Sequence, residues 1–306
     1  MNKIYIVAGP TAVGKTEYAI EIAKALDGEI VSSDSMQLYK YMDIGSAKPT
    51  QEELSQVPHH LVDEIDPREK FSVAKYQKLA RAAIDDIIAR GKTPVIAGGT
   101  GLYINSIIYD MDFAAEPSDE KERDKLYAIA EEKGGQALHD ILKEADPEAA
   151  ERIHPNNIKK MVRAIESAKA GSKVPSFENS FRLYPAYAPV IIGLIRDRNE
   201  LYDRVNRRVD ILFEMGLVNE VRGLMEMGLD AADISMKGIG YKEVIGYLNN
   251  EYDEAFCIDL IQKNTRHLAK KQLTWLKRYE DIKYFNLSEY ESKEKALEDI
   301  LTWLRK

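Results

Sequence analysis

Cysteine is almost missing: Cys257 stands alone among 306 residues, which excludes an internal disulfide and a multi-cysteine zinc site. A buried, small apolar role is the expectation for that thiol. No apolar run approaches the ~18 residues of a membrane span, and the chain has no low-complexity tract and no internal repeat. Excess positive charge is missing too. The net charge of −8 argues against a surface given over to nucleic acid, unless the basic residues are gathered on one face. Met1 to Tyr5 leads into a strand-like run without a charged leader or cleavage site, so the expected compartment is the cytoplasm.

What is present is ordinary globular material, 44% hydrophobic and 31% charged. Lys3 to Ala8 reads as a buried strand, and Thr16 to Leu26 as a helix with Ala19, Ile22, Ala23 and Leu26 on one face. Glu29 to Ser32 makes a second strand. Ser72 is placed to cap a helix from Val73 to Arg90, and Thr93 to Ala97 forms a third strand ending in Gly98-Gly99-Thr100-Gly101. Alternating strands and helices predict an α/β fold, a P-loop NTPase-like doubly wound parallel sheet. Residues 114–189, bordered by Pro117-Ser118 and by Pro185 and Pro189, read as an inserted helical module. Residues 1–113 and 190–306 then form the core, with Val190 to Ile195 as a buried strand and a helical region to the end. In such sheets ligands bind beyond the carboxyl ends of the strands, so the loop after Ala8, Asp34 and Thr100 are expected to line one crevice.

Gly9-Pro10-Thr11-Ala12-Val13-Gly14-Lys15-Thr16 matches G-x-x-x-x-G-K-[ST], between a strand and a helix, as the motif requires. The glycines let backbone N–H groups turn toward phosphate oxygens, the helix adds its positive end, Lys15 a full charge and Thr16 a hydroxyl for Mg²⁺. The motif does not identify what carries the phosphates.

Asp34 has three readings from spacing alone: Mg²⁺ ligand, general base, or cap of the next segment. Thr100 either bonds a substrate or shapes a tight turn. No apolar run ending in Asp supplies a second Walker element, which weakens a generic ATPase reading. His59 and His60 point to opposite faces of a strand, and no matching cluster follows, so a metal site there is not expected.

Between Lys263 and Arg278 stand six Lys or Arg, one His and no acidic residue. On a helix, Lys263, Arg266, His267, Lys270, Lys271, Lys277 and Arg278 fall within an arc of roughly 140°, opposite Leu268, Gln272, Trp275 and Leu276. This is either a solvated helix face or a surface for a polyanion. Arg152, Lys159, Lys160, Arg163, Lys169 and Lys173 add a second basic region. Arg196, Arg198, Arg204, Arg207 and Arg208 lie among acids that offer local salt bridges. Arg204 and Arg208, at i and i+4, are also spaced to clamp a diphosphate.

Together with residues 9–16, Ser33-Asp-Ser-Met-Gln-Leu-Tyr39, Pro58-His-His-Leu61 and Gly98-Gly-Thr-Gly-Leu-Tyr103 resemble the tRNA dimethylallyltransferase family, also called isopentenyl-tRNA transferases. The resemblance continues through Arg204-Val-Asn-Arg-Arg-Val-Asp210, Gly238-Ile-Gly-Tyr-Lys242 and Thr265-Arg-His-Leu-Ala-Lys-Lys-Gln-Leu-Thr-Trp275. It implies transfer of a dimethylallyl group from its diphosphate to N6 of the adenosine beside the anticodon (tRNA position 37), with Mg²⁺ present. It further implies catalytic roles for Asp34, Thr100 and Arg204, with Asp34 as base or acceptor for the N6 amine. Lys15, Thr16 and Arg204 would hold the diphosphate. Asp34, Ser35, Met36, Gln37, Thr100 and Arg123 would contact the tRNA, and the basic Lys263, Arg266 and Lys270 are added to that surface. The expected partners are the anticodon stem-loop and dimethylallyl diphosphate, with a monomeric protein and no membrane. The chain departs from the family at Asn156-Asn157-Ile158-Lys159, where Asn-Pro-x-Arg is common, and its single cysteine resembles the bacterial members, without a zinc finger. A P-loop nucleotide or small-metabolite kinase is the alternative, and a non-catalytic RNA-binding module a third reading.

Overall fold

The computed structural model describes residues 1–111, 113, 120–171 and 182–306. Ala114, Pro117, Ser118 and Lys173, used above for a border and a basic region, lie outside the described residues. These residues divide into two compact units, Met1–Ile108 with Tyr184–Lys306, and Tyr109–Leu183.

The first unit begins β1 (Asn2–Ala8), α1 (Lys15–Ala25), β2 (Gly28–Ser32), α2 (Gln51–Gln56), β3 (His59–His60), α3 (Val73–Ala89), β4 (Thr93–Gly98) and α4 (Gly101–Ile108). The second unit holds α5 (Glu120–Ala145), broken in its course by non-helical Gly134, then α6 (Pro147–Arg152) and α7 (Ile158–Lys169). The first unit resumes with β5 (Tyr187–Ile195), α8 (Arg198–Glu214), α9 (Leu217–Glu226), α10 (Tyr241–Leu248), α11 (Glu254–Leu276), β6 (Lys283–Asn286) and α12 (Lys293–Leu304).

All six strands pair in parallel in the order β3-β2-β4-β1-β5-β6. The chain runs outward from β1 to β2 and back to β4, so right-handed crossovers put α1 and α3 on opposite faces of the sheet. Burial on both faces explains the continuous apolar runs: Ile4, Ile6, Val7 and Ala8 of β1 and Ile192 and Leu194 of β5 are buried. On α1, Ala19, Ile22 and Ala23 pack onto the sheet, with Ala296 and Ile300 of α12 in the same cluster. Ser72 caps α3 by accepting from the Lys75 N–H. The Tyr76 ring of α3 stacks on Tyr103 at 3.7 Å, and its hydroxyl donates to the Ser32 carbonyl at 2.8 Å, fixing the end of β2.

The C-terminal region is not wholly helical, as the sequence suggested: β6 completes the sheet between α11 and α12. At four residues it is too short to display a period. Pro189, read as a border, lies within β5 opposite Ile4. A proline is tolerated there because β6 pairs only with Ile192 to Ile195, leaving the Pro189 stretch bonded on one side.

The second unit has its own core, in which Leu126, Leu138 and Leu142 meet Met161, Val162 and Ile165. Arg123 and Glu166 bond there in parallel, Nε to Oε1 at 2.7 Å and Nη2 to Oε2 at 3.2 Å.

Candidate functional site

Register sets the site. Ala8 pairs with Gly98 and Ser32 with Ala97, so β1, β2 and β4 end side by side and their loops open at one edge. The loop after β1 needs unusual backbone: Ala12 has φ 63° and Gly14 φ 109°, the left-handed conformation that turns successive amides inward. A Cβ at Gly9 would lie 2.7 Å from the Leu194 carbonyl, so the loop begins tight against β5.

Two cavities meet at these loops. The first, about 670 Å³, is lined by Thr11 to Thr16 of the loop, apart from Val13, and by Ser32, Gln37, Lys48 and His59. Its outer wall is apolar, with Ile211, Leu212 and Met215 of α8. The second, about 370 Å³, is lined by Ser35, Met36, Thr100, Leu102, Leu268 and Trp275. Lys15, Asp34 and Arg208 line both, so one carboxylate and two cations stand where the cavities join.

Lys15 keeps surface toward the cavity but is enclosed deeply enough that desolvation lowers its pKa to about 8; Asp34 pulls it up and Arg208 pushes it further down. Its Nζ donates to the Pro10 carbonyl at 2.8 Å. Burial likewise lowers Arg208, against the attraction of Asp34 and Glu53. Desolvated cations held close together favour an entering anion. Asp34 Oδ1 accepts from the Met36 N–H at 2.9 Å, so this residue does cap its own turn while its carboxylate also faces the cavities. Thr100 Oγ1 accepts from the Ser35 N–H at 3.2 Å and its own N–H donates to the Ser33 carbonyl at 3.2 Å, tying the β4 loop to the β2 loop. Gln37 donates to the Ala47 carbonyl at 3.1 Å.

Of the two arginines of the expected clamp, Arg208 lines both cavities and Arg204 bonds the loop after β1. Arg204 Nε donates to the Ala12 carbonyl at 2.9 Å, and Arg196 Nε donates to the Val13 carbonyl at 3.1 Å while its Nη1 meets Glu200 at 2.5 Å. Both brace the loop from behind. Arg123 belongs to the second unit, bonded to Glu166. On α11, Lys263, His267, Lys270 and Lys271 are exposed, and Arg266 is half-buried, donating to Asn206 Oδ1 at 2.5 Å. Lys159, Lys160 and Arg163 are exposed on α7. His60 Nε2 lies 2.7 Å from Glu29 Oε2, and His59 Nδ1 lies 2.8 Å from the Val57 carbonyl. Cys257 is buried and its thiol is pushed up to about 12.

Two contributors escaped the sequence reading. Gln272, seen only as part of the polar-to-apolar side of a helix, accepts from the Thr11 N–H at 2.8 Å and donates to the Gly99 carbonyl at 3.0 Å. Glu220 accepts from the N–H groups of Asp43, Ile44 and Gly45 at 2.8, 2.6 and 3.0 Å and from the Tyr241 hydroxyl at 2.8 Å, fixing a loop that lines both cavities. A glutamate in the first turn of a helix carries no signal that separates this from an ordinary charge.

A parallel sheet with a glycine-rich loop between β1 and α1, opening on one cavity lined by Lys15 and Arg208 that joins a second, defines an α/β protein with a P-loop-like fold. Residues 37–279 match the family model described as IPP transferase. The tRNA dimethylallyltransferase of Alkaliphilus oremlandii (strain OhILAs) is 51% identical over 301 residues, covering 98% of this chain and 96% of that protein. The crystal structure of the full-length tRNA isopentenylpyrophosphate transferase from Bacillus halodurans superposes with TM-score 0.76 at 41% identity, over 100% of this chain and 96% of that one. A eukaryotic dimethylallyltransferase captured acting on tRNA gives TM-score 0.82 at 26% identity, over 99% of this chain and 80% of that one. The chain belongs to the tRNA dimethylallyltransferase family.

Proposed function

We propose that this chain transfers the dimethylallyl group of dimethylallyl diphosphate to N6 of the adenosine at tRNA position 37, 3′ to the anticodon, releasing diphosphate. The observation that carries it is the junction of the two cavities, where Asp34, Lys15 and Arg208 stand together. The donor's diphosphate occupies the first cavity against residues 9–16, and the adenine base enters the second beside Thr100. A nucleotide kinase reading is not favoured: it leaves the second cavity and the family membership without a role.

In the reaction N6 bonds to C1 of the allyl group, the C1–O bond breaks with its electron pair going to diphosphate, and the N6 proton passes to Asp34. An exocyclic adenine amine is a weak nucleophile, so a carboxylate at N6 and cations at the departing oxygens divide the barrier. Lys15 and Arg208 meet the leaving group directly, and Arg204 acts through the Ala12 carbonyl that it holds. Thr16, in the first turn of α1, lines the first cavity, and no cluster of three His, Cys, Asp or Glu among the described residues could hold a metal. A hydroxyl oxygen is a donor that Mg²⁺ accepts, and Thr16 would hold the ion at this cavity. When bound, the ion neutralises charge on the departing diphosphate.

The adenosine must leave its stack, at a cost of a few kcal/mol that phosphate contacts offset. To contacts with the tRNA we assign Ser35, Met36 and Gln37, Lys263, Arg266 and Lys270 on α11, and Arg123 in the second unit. No helix among the described residues is long and apolar enough to cross a membrane. We expect a monomer acting in the cytoplasm. Incubation with labelled dimethylallyl diphosphate, Mg²⁺ and unmodified tRNA tests the reading: label should appear on the RNA, and no transfer at any Mg²⁺ concentration would refute it.

A further inference from the structure

Helix α11 faces two ways. Its outer face carries the exposed Lys263 and Lys270, and its inner face, with Leu268, Lys271, Gln272 and Trp275, lies on the loops of the site. A Cβ at Gly99 would come 2.4 Å from Gln272 Nε2, and one at Gly101 would come 2.2 Å from Trp275 Cδ1. The glycines flanking Thr100 are therefore what let α11 approach. At that contact the Gln272 amide spends both of its ends: Oε1 takes the Thr11 N–H of the phosphate loop, Nε2 gives to the Gly99 carbonyl of the Thr100 turn. Among the described contacts it is a single side chain that bonds the donor's loop and the acceptor's loop at once.

We infer that Gln272 is a positioning residue for the transfer, holding the loop that binds the diphosphate in register with the turn that receives the adenine. The inference rests on the prenyl-transfer reading. Each loop keeps its own ligand contacts without Gln272; what is lost is their spacing, and misplacing reacting groups by about 1 Å costs on the order of 100-fold in rate.

Gln272→Met removes both hydrogen bonds at similar volume. Its kcat should fall about 10- to 100-fold while KM for each substrate stays within about threefold, the split expected of lost alignment. Gln272→Glu supplies the diagnostic readout. An ionised carboxylate accepts from Thr11 but repels the Gly99 carbonyl, whereas a carboxylic acid reproduces both bonds of the amide. The ratio of Gln272→Glu activity to wild-type activity should therefore climb as pH falls from about 8 to about 6, toward the range where a buried glutamate protonates. Lys15, Asp34, Arg208 and Lys271 line the same cavity and are common to both proteins, so taking the ratio removes their titration. A packing role alone predicts a flat ratio. Turnover by Gln272→Met within about threefold of wild type, or a flat Gln272→Glu ratio, would overturn the inference while leaving prenyl transfer intact. Should Gln272→Met fail to fold, the ratio decides alone. Failure of the wild-type chain to prenylate tRNA would overturn both.

Discussion

Arg204 donates its Nε to the carbonyl of Ala12 at 2.9 Å. That bond spends the first of two arginines one helical turn apart on the shape of the phosphate loop, and leaves Arg208 to enter the cavities beside Lys15 and Asp34. Arg204→Lys keeps a charge but loses the planar N–H directed at Ala12. It is expected to raise KM for dimethylallyl diphosphate by about tenfold, the cost of one charge-assisted hydrogen bond, without changing tRNA affinity. Steady-state kinetics and filter binding check the two halves.

Among the described residues, Asp34 is the only carboxylate that lines both cavities. Asp34→Asn preserves the acceptor for the Met36 N–H and removes the base, so turnover should drop about 10²- to 10⁴-fold with tRNA affinity nearly unchanged. Single-turnover transfer measured beside equilibrium binding tests this. Comparable losses in both would make Asp34 a positioning residue.

Lys15 gives the site a pH limit. Its pKa is lowered to about 8, chiefly by burial, so the free enzyme loses this charge as pH rises through about 8. The donor remains fully ionised there, and kcat/KM for dimethylallyl diphosphate is expected to fall above about pH 8, approaching tenfold per pH unit. A profile flat to pH 9.5 would remove Lys15 from diphosphate binding.

The exposed lysines of α11 make a prediction in salt rather than pH. Lys263→Ala and Lys270→Ala should each lower the slope of log Kd for tRNA against log salt by about 0.7 to 0.9, with no preference among tRNA sequences. Unchanged slopes would make this stripe a solvated face.

Glu220 satisfies three backbone amides and a tyrosine hydroxyl. Glu220→Ala should cost about 3 kcal/mol in urea unfolding, because three backbone amides and the Tyr241 hydroxyl lose one charged acceptor. It should also raise KM, since the 43–45 loop lines the cavities.

The sheet was legible because buried parallel strands have apolar centres: residues 3–8, 29–32, 93–97 and 190–195 each carry at least two adjacent aliphatic residues, and each falls within an observed strand. The edge strands β3 and β6 have two and four residues, too few for any period, and take their conformation from the neighbour they pair with. In the site, Gly9 to Thr16 could be read because the backbone conformation itself selects the residues. Gln272 and Glu220 could not, because an amide or a carboxylate on a helix is common and only the folded path reveals what it meets. The arginine pair lay between these cases: its i, i+4 spacing on α8 was visible in the sequence, whereas the presence of Ala12 within reach of Arg204 is a tertiary fact. Gly99 and Gly101, named only as the end of a strand, mark the approach of α11.

The position of β1 has a consequence for biosynthesis. Its neighbours are β4 and β5, and β5 begins only at Tyr187. Gly9 abuts the Leu194 carbonyl, and the braces at Ala12 and Val13 come from Arg204 and Arg196. A ribosome that has released the first hundred residues has therefore made residues 9–16 and β4, but not β5, Arg196, Arg204 or Gln272, which hold the loop from its other sides. The α-helical unit at 109–183 emerges next, with contacts local to itself. The fixed shape of this loop therefore arrives late in translation, and a nascent chain stalled before Arg204 carries residues 9–16 without these braces.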